Sequence, residues 1–171
     1  MSVVSEARSD KLARVTLGEA PMTLPFADGW ASAEVENVAP GDDRVEAAFD
    51  EAVSPSVVVP NGGRLRIERT QALIAADIDS AGRRGVGSAA SRALQLNRDA
   101  SAELVRQIGL RKLGGLVVLD CVAPLNAGSR KTLQDFTKTR FAEAGFPTAT
   151  VLAPSQLGLM EISLPSRETP L

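Results

Sequence analysis

Two apolar stretches decide the fold: ALIAADIDS at residues 72–80 and LVVLD at residues 116–120. Their apolar parts, residues 72–76 and 116–119, have apolar side chains on both faces of an extended chain, which is typical of central strands buried in a sheet. Between them, Ser88 can cap a helix that runs to about Ile108 with a periodic apolar side. Because a strand, a crossover helix and a second strand form a βαβ unit, we predict that the two strands are parallel.

The segments outside this unit predict antiparallel strands and two more helices. Residues 64–69, RLRIER, alternate charged and apolar side chains, as in a strand with one buried face. Further strands are predicted at residues 148–152 and 159–163. Further helices are predicted at about residues 130–144 and, with Asp42 or Asp43 as the cap, through Val45, Ala48, Phe49 and Ala52. We therefore expect an α/β fold with a mixed sheet of the α+β type: a central parallel βαβ unit, flanking antiparallel strands, and helices on the sheet.

Patterning also divides the chain. Residues 1–40 are weakly patterned, residues 41–165 carry the strand and helix signals, and residues 166–171 form a tail. We predict a single folded core at 41–165, preceded by an N-terminal segment of unassigned role.

Composition excludes several classes of chemistry. The 171 residues include no histidine, no tyrosine and one cysteine, Cys121. Ser-His-Asp catalysis, Cys-His catalysis and histidine-based metal sites are therefore excluded, and Cys121 is expected to pack as a small apolar residue. No run of about 18 apolar residues predicts a membrane span. Residues 1–11 lack the features of a signal peptide, so we expect a cytoplasmic protein with no membrane partner.

The net charge of −2 conceals a basic middle third, since residues 61–115 hold 10 Lys or Arg and 5 Asp or Glu. Such a balance favours a polyanionic partner, although a solvated arginine-rich surface is the alternative. Two groups of arginines are candidate phosphate contacts: Arg64, Arg66 and Arg69, expected as a stripe on one strand face, and Arg83 and Arg84, in the loop that follows the first buried strand. Arg111 and Lys112 are expected on the surface.

Three carboxylates follow the buried strands. Asp77 and Asp79 come after the first apolar run, and Asp120 ends the second. Parallel strands end at one edge of a sheet, where open α/β folds place their sites, so these side chains are expected to lie together. Oxygen ligands without histidine favour Mg²⁺, with Mn²⁺ as a substitute. The alternative is that each aspartate only caps a helix or stabilises a turn.

The blocks PNGGRLRIERTQALIAADIDSAG (residues 60–82), NRDASAELVRQIGLRKLGGLVVLD (97–120) and SQLGLMEIS (155–163) resemble the catalytic core of the ribonuclease E/G family. The resemblance covers roughly residues 41–163 and implies a DNase I-like subdomain. It implies that Asp77 and Asp120 are the catalytic, magnesium-binding aspartates and that Asp79 supports the same ion. The implied reaction is endonucleolytic hydrolysis of single-stranded RNA, in line at phosphorus, with Mg²⁺ as cofactor.

The sequence also departs from the family pattern. The zinc-binding Cys-x-x-Cys link is missing, so neither zinc nor a zinc-linked dimer is expected, although oligomerisation is possible. Ala123 stands where a second acid is usual, and Gln156 where an arginine is usual. These departures leave two alternatives to an endoribonuclease: an RNA-binding protein of the same fold that has lost cleavage, and an unrelated Mg²⁺ phosphohydrolase or structural domain.

Overall fold

A computed structural model describes residues 39–81 and 86–165, together with the backbone of two short strands, β1 (Ser2–Ser5) and β2 (Arg14–Thr16). These two strands pair antiparallel as a two-stranded sheet. Arg83 and Arg84 lie outside the described residues.

A six-stranded mixed sheet forms the centre of the described chain. Its strands are β3 (Ser56–Val58), β4 (Arg64–Arg69), β5 (Ile74–Asp79), β6 (Gly115–Asp120), β7 (Thr150–Val151) and β8 (Leu159–Leu164). Their order across the sheet is β3-β4-β5-β6-β8-β7. β5 and β6 pair in parallel, and the other neighbours in this sheet pair antiparallel. The predicted fold class, a parallel βαβ unit flanked by antiparallel strands, is confirmed.

Three helices are described: α1 (Asp43–Val53), α2 (Ala89–Leu110) and α3 (Ala127–Glu143). Each begins at a side chain that accepts a hydrogen bond from a backbone N–H of the first turn, and these N-caps are Asp42, Ser88 and Asn126. α2 is the predicted crossover between β5 and β6. α3 begins three residues earlier than predicted, because Asn126 caps it and no large apolar residue marks its first turn.

Apolar side chains from one face of the sheet pack with α2 and α3 in a single core. The sheet contributes alternate residues of its strands, among them Leu65, Ile78, Val117, Leu119 and Ile162. From the helices, Leu104, Ile108, Leu133 and Phe141 are fully buried in the same cluster. The other face of β5 and β6 carries the exposed aspartates, because successive side chains of a strand point to opposite faces.

A polar cluster, rather than apolar contact, joins α1 to α2. The amide of Gln107 donates to the carboxylate oxygens of Glu51 on α1 (2.6 Å) and of Glu103 on α2 (2.9 Å). Arg111 donates through Nε to the Gln107 side-chain oxygen at 2.7 Å, and Arg106 forms ion pairs with both glutamates. Burial raises the pKa of Glu103 and lowers the pKa of Arg111.

The prediction that Arg111 lies on the surface is therefore wrong. Its exposed fraction is 7%, and its guanidinium also donates to the backbone oxygen of Glu51 at 3.3 Å. A buried arginine is stable only when its donors are satisfied, and here the partners come from α1 and from the preceding turn of α2.

Replacing Gln107 should cost stability at this junction. In Gln107→Ala, the buried Glu103 and Arg111 each lose a hydrogen-bond partner, so the free energy of unfolding should fall by about 1–3 kcal/mol. Urea denaturation measures the change. The matched control is Gln95→Ala on the same helix, because Gln95 is exposed and its hydrogen bond in the described chain goes to Asp99, also on α2 (2.8 Å). Equal losses in the two variants would contradict a specific role for the buried cluster.

Candidate functional site

Two aspartates meet on the exposed face of the sheet. Asp77 in β5 is the register partner of Asp120 in β6, and both side chains are exposed. Neighbouring strands lie about 4.8 Å apart, and partners in a parallel register point to the same face, so the two carboxylates project side by side. Both residues belong to the C-terminal parts of the strands themselves rather than to the loops that follow.

Neither of these two carboxylates has a direct partner in the described part of the chain. Within residues 39–81 and 86–165, neither carboxylate takes part in a hydrogen bond or an ion pair. Like charges directly opposite each other destabilise a sheet, and a bound cation would relieve this repulsion.

Asp79 has a different local role. It lies on the same strand face as Asp77, but its Oδ1 accepts a hydrogen bond of 2.8 Å from the Ala81 N–H and so stabilises the turn after β5. Over the described residues, no three acidic, cysteine or histidine side chains are grouped closely enough to hold a metal ion. The described site is thus a pair of carboxylates rather than a set of three.

Two contacts that the sequence analysis did not single out hold the chain just after Asp120. The Gly158 carbonyl accepts from the Cys121 N–H at 3.0 Å, and a Cβ on Gly158 would lie 3.1 Å from the Cys121 oxygen. Asn97 on α2 hydrogen-bonds to both backbone groups of Val122. Their sequence signals are a glycine directly before a strand and a lone asparagine on the buried side of a helix.

Arg64 and Arg66 lie on the same face as the aspartates. Arg66 is the register partner of Asp77, and Arg64 that of Asp79, so positive side chains flank the carboxylate pair. In the described chain, Arg66 pairs with Glu68, and Arg64 donates to the Ser56 hydroxyl at 3.2 Å.

Arg69 does not join them. It is the register partner of the buried Ile74 and has the same parity as Leu65 and Ile67, so it falls on the opposite face of β4. The expected stripe of three arginines on one face is therefore wrong at Arg69. Arg83 and Arg84, the other predicted phosphate contacts, remain predictions because they lie outside the described residues.

Both long helices begin near the edge that carries the aspartates. α2 follows β5 and α3 follows β6, and neither has an acidic residue in its first turn. The N-terminus of a helix carries a partial positive charge and free N–H groups, which favour anions. The surroundings of the negative pair therefore include two helix N-termini and two arginines of the exposed sheet face.

Cys121, directly after Asp120, is buried as predicted. Its burial, with a smaller contribution from the Asp120 charge, raises the pKa of the thiol to about 12. The thiol is therefore protonated and unreactive near neutral pH.

The raised pKa of this thiol predicts that the free energy of unfolding falls at high pH in the natural chain more than in a variant without the thiol. The unfolded thiol ionises near its ordinary pKa of 9.0, whereas the folded one stays protonated to about 12. The unfolded state then binds fewer protons, so the free energy of unfolding falls as pH rises through this window. Chemical denaturation at pH 8 and pH 10.5, compared between the natural chain and Cys121→Ala, isolates this effect. A pH dependence that is the same in both proteins would contradict the assignment.

The fold and this edge define an α/β domain with a carboxylate pair at the ends of two parallel strands. Comparison with known proteins gives the family: the sequence model of the ribonuclease E/G family matches residues 36–166. The chain belongs to the ribonuclease E/G family, and the resemblance noted from its motifs is confirmed.

Its relatives are much longer proteins. The chain is 32% identical over 121 residues to ribonuclease E of Nostoc sp., a match that covers 70% of this chain and 17% of the relative. It is 31% identical over 121 residues to the chloroplastic ribonuclease E/G-like protein of Arabidopsis thaliana, covering 70% and 12%, respectively. With ribonuclease E of Escherichia coli, identity is 38% over 79 residues, 46% of this chain and 7% of the relative.

Among the described helices, none combines the length and the apolar character that a membrane span requires. The cytoplasmic location and the division at residues 40 and 165 stay predictions.

Proposed function

We propose that this chain is a Mg²⁺-dependent endoribonuclease that hydrolyses phosphodiester bonds in single-stranded RNA. The observation that carries the proposal is the register pairing of two exposed aspartates, Asp77 and Asp120, without a compensating partner in the described chain. Membership of the ribonuclease E/G family supports RNA as the substrate.

The residues at the edge fit a hard divalent cation. Asp77 and Asp120 would hold it, and Asp79, whose Oδ1 accepts from the Ala81 N–H, would support the same ion from two residues further along β5. Two carboxylates suffice for Mg²⁺, which keeps several waters, and Mn²⁺ accepts the same ligands. When bound, the ion would stabilise negative charge on a phosphoryl oxygen and lower the pKa of a water molecule. Zinc is not expected, because histidine is absent and the single thiol is buried and protonated.

The remaining parts of the site would hold RNA by its phosphates. Arg64 and Arg66 lie beside the aspartates on the exposed face, and the first turns of α2 and α3 lack acids. Arg83 and Arg84 would extend this surface from the loop after β5. Phosphate contacts of this kind position a nucleic acid without reading its bases, so we expect little sequence preference from them.

Two observations favour a second candidate, an RNA-binding protein of the same fold that does not cleave. In the described chain the carboxylates do not form a group of three, and Ala123 and Gln156 stand at positions where the family usually has an acid and an arginine. An intact aspartate pair favours cleavage over this alternative, and the experiment below separates them.

Removing either charge of the pair should abolish Mg²⁺-dependent cleavage. In Asp77→Asn and Asp120→Asn the ion loses a ligand, and with it several kcal/mol of transition-state stabilisation. We expect the cleavage rate of a labelled unstructured RNA to fall roughly 1,000-fold or more. Thermal stability without metal should stay equal or rise, since repulsion within the pair is removed. Asp135→Asn, which changes an exposed aspartate of α3 paired with Lys131, is the matched control and should cleave normally.

Cleavage by all four proteins at one rate would assign the activity to a contaminant. If the natural chain binds RNA but never cleaves with Mg²⁺ or Mn²⁺, the function is RNA binding alone.

The arginines should determine how RNA affinity depends on salt. Removing one phosphate contact should flatten the plot of log affinity against log salt by about 0.7 for single strands. We therefore expect the double variant Arg64→Ala/Arg66→Ala to reduce this slope, and the double variant Arg83→Ala/Arg84→Ala to do the same. The reduction should be equal for RNAs of unrelated sequence. Arg69→Ala is the matched control, because Arg69 lies on the same strand but on the other face. An unchanged slope in a double variant would assign its side chains to ordinary solvated surface.

A further inference from the structure

Asn97 is a buried polar residue in the middle of the crossover helix. Its exposed fraction is 0%, and its neighbours on the same side of α2, Ala93, Leu96 and Ala100, are apolar. Its Nδ2 donates to the Val122 carbonyl at 2.8 Å, and its Oδ1 accepts from the Val122 N–H at 2.8 Å. The side chain therefore contacts a segment 25 residues further along the chain, next to the aspartate pair.

The chemistry of these contacts requires an amide. A carboxamide presents one donor and one acceptor on a single planar group, like a backbone peptide unit, and so it satisfies both groups of Val122 at once. Leucine fills a similar volume but offers neither hydrogen bond, and serine is too short to replace both. Asn97 thus continues the pairing of the β6 chain beyond the end of the strand, with a side chain in place of a neighbouring strand.

This contact fixes the backbone that carries Asp120. The ladder of β6 ends at Asp120, which is the last residue of the strand in register with β5 and β8. Of the two residues that follow, Cys121 is held by the Gly158 carbonyl and Val122 by Asn97. Asp120 is itself in register with Asp77 and Leu159, and these two anchors hold the chain directly after it.

We infer that Asn97 is a positioning residue that sets the direction of the Asp120 carboxylate relative to Asp77. The inference rests on the proposed function, in which the two carboxylates share one divalent cation. Residues that orient a metal ligand typically change metal affinity or activity by roughly 10–100-fold when replaced. Asn97 acts through the backbone of Val122 and touches neither substrate nor ion.

A second buried residue of α2 supplies the matched control. Ser101 lies one turn after Asn97, is equally buried, and shares a 2.6 Å hydrogen bond with the Thr137 hydroxyl of α3. It joins two helices and has no hydrogen bond to the end of β6. Ser101→Ala therefore removes a buried hydrogen bond of α2 without disturbing the anchor of Asp120.

The experiment compares Asn97→Leu and the milder Asn97→Ser with Ser101→Ala in the full chain. Mn²⁺ affinity is measured by electron paramagnetic resonance, kcat and KM with a labelled unstructured RNA, and stability by urea denaturation. We expect the Asn97 variants to bind Mn²⁺ roughly 10–100-fold more weakly and to lose kcat by a similar factor, with KM for RNA nearly unchanged. Ser101→Ala should lose stability but keep its Mn²⁺ affinity and kcat. If Asn97→Leu does not fold, Asn97→Ser must still show weaker Mn²⁺ binding and a lower kcat with a nearly unchanged KM.

The outcomes separate this inference from the proposed function. If folded Asn97 variants keep the Mn²⁺ affinity and kcat of Ser101→Ala, Asn97 is a structural residue only and the inference is overturned. If the natural chain neither binds Mn²⁺ nor cleaves RNA, the proposed function fails instead. In that case the carboxyl ¹³C chemical shift of Asp120, measured by NMR, still tests positioning. A shift change in Asn97→Ser but not in Ser101→Ala supports it, and equal spectra overturn it.

Discussion

The parallel pairing of β5 with β6 is the constraint on which the rest of the domain depends. Its register places Asp77 beside Asp120, and it requires a crossover, which α2 provides. The alternation of side chains then sends both carboxylates to one face and leaves Ile78 and Leu119 in the core. If β6 slipped by one residue, its backbone could still pair with β5, but Asp120 would point toward the helices and would no longer lie beside Asp77.

α2 connects this pairing to the other parts of the domain through three buried polar residues, spaced along the length of the helix. Asn97 holds the end of β6, Ser101 holds α3, and Gln107 holds α1. Apolar packing of the same helix supplies most of the stabilisation, but it tolerates small rotations and shifts. Buried hydrogen bonds are directional, and they lose their energy when a helix rotates, so these contacts fix which way each neighbour faces.

The sequence carried enough information for the βαβ unit and for the edge at which the aspartates lie. Both follow from local patterns: apolar runs, a capping serine, and the rule that parallel strands end together. The sequence also indicates that Arg69 lies on the face of β4 opposite to Arg64 and Arg66, since it has the same parity as Leu65 and Ile67. The exact register of Asp77 with Asp120 required the structure, because strand pairing is set by contacts distant in sequence.

Buried polar residues were the hardest to predict. Arg111 looks like a surface residue because arginine is seldom buried without partners, and its partner Glu51 lies 60 residues earlier. Asn97 interrupts an apolar helical side, which signals a buried hydrogen bond, but nothing local identifies Val122 as the partner. In each case the residue type indicates that a buried side chain requires a hydrogen-bond partner. That partner is distant in sequence, so only the fold identifies it.

Polar contacts, more than apolar burial, attach α1 to the rest of the domain. α1 buries one residue, Ala52, while Phe49 on its outer side is 60% exposed, so charged and amide groups hold it in place. Releasing it exposes little apolar surface, whereas releasing α2 would open the whole core. We therefore expect α1 to open at a lower free energy than α2 or the sheet from β4 to β8.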